Sequence, residues 1–200
     1  EVEFASKWRD LEDGILGARL AFGAKFPTLE EYLGLLLALK LGLGASFKQK
    51  ELIEEFEKKF EERKFGDTST KEAWKNRREV KSILDLAVAT LKRLRSHSRK
   101  SDKEGQNLRF SLDALGRPLG AMFGFAIPLA YLFREETSAE TKKLREFCQV
   151  AELFTFRMLK TGTIQQGAYR TEMLTNAQLI FNGDCSSAHF RQRLSSQIPR

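Results

Sequence analysis

Two hundred residues, 42% apolar and 30% charged, are enough to bury a core and too apolar for a disordered chain. Two isolated cysteines without CxxC spacing exclude a disulfide framework and a zinc knuckle, and the longest apolar run, residues 119–133, falls short of the roughly twenty residues of a membrane span. The net charge of +7 is focused: residues 71–100 hold ten basic and three acidic side chains, while the rest of the chain holds 24 of each.

Helical periodicity runs almost throughout. Phe4, Trp8, Leu11 and Ile15 form a stripe, and the helix they define is expected to end near Gly14 and Gly17. Pro27 and Thr28 open a second helix, with Thr28 and Glu31 at capping-box spacing. Its body, Tyr32 to Leu43, is apolar nearly all round, which predicts full burial, and Gly42 and Gly44 end it. A third helix is expected over 47–64, with Leu52, Ile53, Phe56 and Phe60 on one face. A fourth, long one over 70–95 turns Trp74, Val80, Ile83, Leu84, Ala87, Leu91 and Leu94 inward.

Residues 96–107 have no large apolar side chain and read as an exposed loop. Helices over 108–115 and 118–133 follow, the second bent at Pro128. A capping-box spacing from Thr137 to Glu140 starts a helix to Leu159, with Leu144, Phe147, Ala151, Phe154 and Met158 in register. After a loop over 161–167, two last helices span 170–181 and 186–196. The reading is all-α, a single domain of about eight helices over residues 1–200, with most of the sixteen phenylalanines in its core.

No active site is legible. His97 and His189 are the only histidines, and spacing gives neither an orienting partner, so both read as surface or helix-capping groups. The acidic pairs Glu54-Glu55, Glu61-Glu62 and Glu135-Glu136 are neighbours among cations and read as solvated charge. The segment from Gly116 to Gly120 lacks the phosphate-loop and dinucleotide patterns and reads as a helix junction. Cys148 falls near an apolar face and is expected to be buried, whereas Cys185, after Gly183 and Asp184, is expected to be more exposed. No metal or cofactor is expected. No signal peptide is expected, and a reducing cytoplasm is the expected compartment. It opens on Glu1 rather than Met, from which a piece of a longer multidomain protein is expected.

What remains is the basic segment. Lys71, Lys75, Arg78 and Lys81 share one helix face, and Lys92, Arg93, Arg95, Arg99 and Lys100 gather at the helix end and beyond. Such a field suits the phosphates of a nucleic acid. No helix-turn-helix, zinc finger or aromatic interleaving accompanies it, so neither base readout nor base stacking is expected.

Two segments carry a family resemblance. FASKWRDLEDGIL followed by TLEEYLGLLLALKLG resembles the helical region of GmrSD-like proteins, with Lys7, Trp8, Leu11 and Glu12 on a first helix and a hydrophobic helix ending in Lys-x-Gly. AELFTFRMLKTGTIQQ is similar to that family's Phe-x-Phe-Arg helix and glycine-containing loop, here Phe154, Phe156, Arg157 and Gly162. Such proteins are often restriction or phage-defence factors, with a ParB-like N-terminal domain and frequently a C-terminal HNH nuclease domain. The Asp-Gly-Gln-Gln-Arg nucleotide motif of the first and the HNH motif of the second are both missing from this sequence. The resemblance therefore implies a non-catalytic helical part of a nucleotide-dependent restriction or defence protein. That part would support its neighbouring domains and contact DNA through the basic segment, with Arg157 bridging helix ends or touching a neighbour. The alternative from another class is a helical scaffold that binds an acidic protein partner. A weaker third is a hydrolase completed around His97 by further chain.

Overall fold

The computed structural model describes residues 2–42, 71–116, 122–134, 140–160 and 166–197. The helix expected over 47–64, with its apolar stripe, lies outside them. The described chain is helical: α1 (Val2–Phe22), α2 (Leu29–Leu41), α3 (Lys71–Ser98), α4 (Lys103–Gly116), α5 (Ala126–Phe133), α6 (Thr141–Thr155), α7 (Gln166–Asn182) and α8 (Ser187–Gln197). A 3-10 turn, Met122–Phe125, leads into α5, and a π-turn, Phe156–Lys160, ends α6. No strand occurs among the described residues, and the all-α expectation holds.

The centre is α5. Its sequence AIPLAYLF is apolar all round, and every residue but Tyr131 is buried. A buried Leu, Ile or Phe contributes about 1.5–3 kcal/mol relative to exposure, so Ile127, Leu129, Leu132 and Phe133 make a strong anchor. Around it α4 lies along α6, α1 along α3, and α7 against α5. The second all-apolar helix, α2, rests on α3 and α5 through Tyr32. That ring lies 5.2 Å from the Phe133 ring, and its hydroxyl donates to Ala87 O at 2.8 Å. One continuous cluster of buried side chains runs from Leu11 of α1 to Phe190 of α8. The ion pair of Arg145 Nε with Glu104 Oε2, at 2.8 Å, ties α6 to α4.

Several boundaries differ from the periodicity reading. Helix α1 does not end at Gly14 and Gly17 but runs through both to Phe22. A helical glycine costs about 1 kcal/mol relative to alanine. Here the loss is offset by close packing, because a Cβ at Gly14 would stand 2.8 Å from Leu91 Cδ1 of α3. The loop expected over 96–107 shrinks to residues 99–102: α3 continues to Ser98, and α4 begins at Lys103 with the Asp102 carboxylate accepting from Gly105 N at 2.7 Å. Polar helix ends carry no apolar stripe, so periodicity alone could not see them.

The helix expected over 118–133 is an α-helix only from Ala126, so Pro128 does not fall in its body. It stands in the first turn of α5, where its missing N–H has no intrahelical partner to lose. Glu140 rather than Thr137 is the N-cap of α6, and it makes no side-chain capping bond; Thr137 lies outside the described residues. The α2 start and stop stand, with the Thr28–Glu31 capping box and Gly42 in the left-handed region at φ 65°; burial runs from Tyr32 to Leu39 and stops short of the exposed Leu41, while Leu43 and Gly44 lie outside the described residues. Gly116, at the junction expected there, lets α4 meet the end of α1: a Cβ would fall 1.6 Å from Phe22 O. Residues 117–121 of that junction lie outside the described part.

Candidate functional site

Between α1, α3 and α4 the surface opens into a cleft of about 740 Å³. Helix α1 gives its floor small residues, Gly14, Gly17, Ala18 and Ala21, and α3 adds Val88, Leu91 and Leu94. On the α3 and α4 side stand four exposed cations, Lys92, Arg95, Arg99 and Arg109. Asp10 and Asp13 of α1 and Asp113 of α4 line the same cleft. Among the described residues the side chains of Lys92, Arg95, Arg99 and Arg109 form no ion pair or hydrogen bond. Phe110 also borders the cleft and is 74% exposed.

The cationic side chains expected to act together are divided by the pitch of α3. A helix turns about 100° per residue, so positions 92, 95 and 99 share a stripe while position 93 points away. Arg93 faces the C-terminal end of α5, where its Nη1 donates to Leu132 O at 3.1 Å and to Arg134 O at 3.3 Å. Thr90 Oγ1 joins it on Leu132 O at 3.3 Å. Together they satisfy carbonyls that a helix end leaves without partners, and the cation suits the negative end of the α5 dipole. Lys100 Nζ is held by Thr141 Oγ1 at 2.7 Å. Arg78 and Lys81 line a separate shallow hollow with Asp85, whose carboxylate pairs with Lys7 of α1. Lys71 and Lys75 belong to the first turns of α3, and their side chains lie outside the described residues, as does that of Trp74.

Arg109, Phe110, Asp10 and Asp13 were not legible as site residues. They come from α1 and α4, and only the packing of those helices on α3 brings them to one place.

The remaining candidates take structural roles. His97 does have a partner: its Nδ1 lies 2.8 Å from Thr141 Oγ1. Partial burial lowers its pKa from the usual 6.5, and the charges of Lys100 and Arg93 push the same way. His189 is exposed, its backbone N–H donating to Ser186 Oγ at 3.2 Å. Cys148 is fully buried as expected, and burial pushes its thiol pKa far up. Cys185 corrects the reading of an exposed thiol: it is only 5% exposed, its Sγ donates to Ser186 O at 3.4 Å, and burial raises its pKa too. Neither thiol is poised as a nucleophile.

The resembling motifs resolve into packing. Leu11 is fully buried, Trp8 Nε1 donates to Glu12 Oε1 at 2.9 Å, and Lys7 reaches Asp85 across to α3. Phe154 is in the core, while Phe156 and Arg157 face outward from the π-turn; Gly162 lies outside the described residues. Among the described residues no three His, Cys, Asp or Glu side chains gather to hold a metal ion, and no helix is long and apolar enough to cross a membrane. No family model, curated protein or solved structure matches the chain.

Proposed function

We propose that this chain is a non-catalytic helical module that holds nucleic acid by its phosphates. The part it would play is the one its resemblance implies, within a GmrSD-like, nucleotide-dependent DNA restriction or defence protein of the cytoplasm. One observation carries the reading: Lys92, Arg95, Arg99 and Arg109 converge on one rim with no partner of their own among the described residues. The α3 row extends about 10 Å along the helix axis, a length suited to successive phosphates. Two buried thiols are in keeping with a reducing compartment.

The test is retention of duplex DNA by the full chain across a salt series. Four phosphate contacts give a slope of log K against log salt of about −3.6. Changing Lys92, Arg95 and Arg99 together to Glu removes retention with little change in melting temperature, because all three are exposed. Retention that survives this triple change overturns the reading.

A second reading, docking of an acidic protein partner, is favoured by the exposure of Leu16 and Leu20 on α1 and Phe110 on α4. It predicts binding that depends on those apolar side chains and changes little with salt.

A further inference from the structure

Phosphate contact accounts for the cations of the cleft but not for the hollow beside them. A phosphate chain needs no apolar hollow, yet the cations share the cleft with Gly17 and with the edge of the core at Ala18, Val88 and Leu91. Phe110 stands on the same rim with 74% of its surface exposed, so its ring is open to a ligand. From α1, Asp10 and Asp13 line the same cleft with carboxylates that repel a phosphate rather than bind one. A hollow of about 740 Å³ is of the size that takes small molecules.

Three chemistries thus meet in one place: an apolar slot with an aromatic lip, hydrogen-bond acceptors, and cations. A nucleotide has the matching parts. Its base offers flat π faces that stack on an aromatic ring whatever the sequence. An exocyclic amino group on that base donates to carboxylates. Its phosphate takes the cations.

We propose that the cleft binds a nucleotide unit whose base carries an exocyclic amino group. The base enters over the α1 floor beside Phe110, its amino edge meets Asp10 and Asp13, and its phosphate is held by Lys92, Arg95 and Arg99. For an unpaired nucleotide within a strand, this inference rests on the nucleic-acid reading above. A free mononucleotide has the same chemistry without it.

Gly17 supplies the decisive variant. A Cβ built there meets only Arg95 Nη1, at 4.0 Å, so a larger side chain at this helical position extends into the cleft without changing its charge. Gly17→Phe fills the slot, and Phe110→Ala removes its lip from an exposed position. The probe is 2-aminopurine, fluorescent and amino-bearing, presented to the full chain in two forms: as the riboside 5′-monophosphate and within a single-stranded oligonucleotide. Duplex retention is measured in parallel for every variant.

A fluorescence change with the wild-type chain, weakened about tenfold by Gly17→Phe and by Phe110→Ala while duplex retention persists, supports the slot. The form of probe that responds tells a strand-borne unit from a free one. A change that both variants leave untouched overturns the inference, as does silence of both probes; in either case retained duplex leaves the phosphate reading standing. Loss of duplex retention with a mononucleotide response that Gly17→Phe abolishes supports the slot alone. Equal binding of oligo-dC and oligo-dT overturns the assignment of the amino edge.

Discussion

Thr141 Oγ1 accepts from Lys100 Nζ at 2.7 Å and lies 2.8 Å from His97 Nδ1, where the imidazole tautomer decides which group donates. The pKa of His97 is lowered, by partial burial first and by the Lys100 and Arg93 charges next. The native chain resists protonation that the unfolded chain accepts at about 6.5. As pH falls from 6.5 through the lower native value, the unfolded state takes up the proton first and stability drops. Above 6.5 this group adds no pH dependence. His97→Gln keeps a hydrogen-bonding group and removes the titration, so its urea midpoint should fall less than the wild type's between pH 7.5 and 5.5. Equal falls would show that His97 is not the source. Periodicity could place His97 near a helix end and no more, because Thr141 belongs to another helix.

Among the elements, α3 has the most varied work. One side buries Val80, Leu84, Ala87 and Leu94 in the core, another lines the cleft, and a third grips the end of α5 through Thr90 and Arg93. Arg93→Ala therefore destabilises by about 2 kcal/mol in denaturant unfolding, since two carbonyl oxygens lose a charged donor. The salt slope of DNA retention stays as it was, because Arg93 is engaged with the end of α5 and stands outside the cleft. A drop in slope with no loss of stability would reverse that assignment. The core face of α3 was legible, since Val80 to Leu94 repeats at helical spacing and every member expected from Val80 on is buried. Its separate polar faces were not: charge counted along the chain merges Lys92 with Arg93, which the helix turns apart. The same blindness lost the polar helix ends around residues 96–107, whose capping depends on Asp102 rather than on any apolar signal.

At the scale of the molecule, a single buried cluster joins α1 to α8 without a break. Such a core predicts one cooperative transition, in which tryptophan fluorescence, reporting in part on Trp8 of α1, and far-ultraviolet circular dichroism of all helices coincide in urea. Separated midpoints would divide the chain into independent units. The all-α architecture was readable because apolar spacing is a local property. The cleft was not, since its walls come from helices far apart in sequence, and neither the Asp10 wall nor Phe110 bears a mark in its own segment. The grip of Arg93 on α5 has a mechanical side as well. A helix clamped at one azimuth cannot roll about its own axis, so the stripe of Lys92, Arg95 and Arg99 is aimed before any ligand arrives. An anion that settled there would spend little of its binding on alignment, and an arginine outside the cleft would set the direction from which it is met.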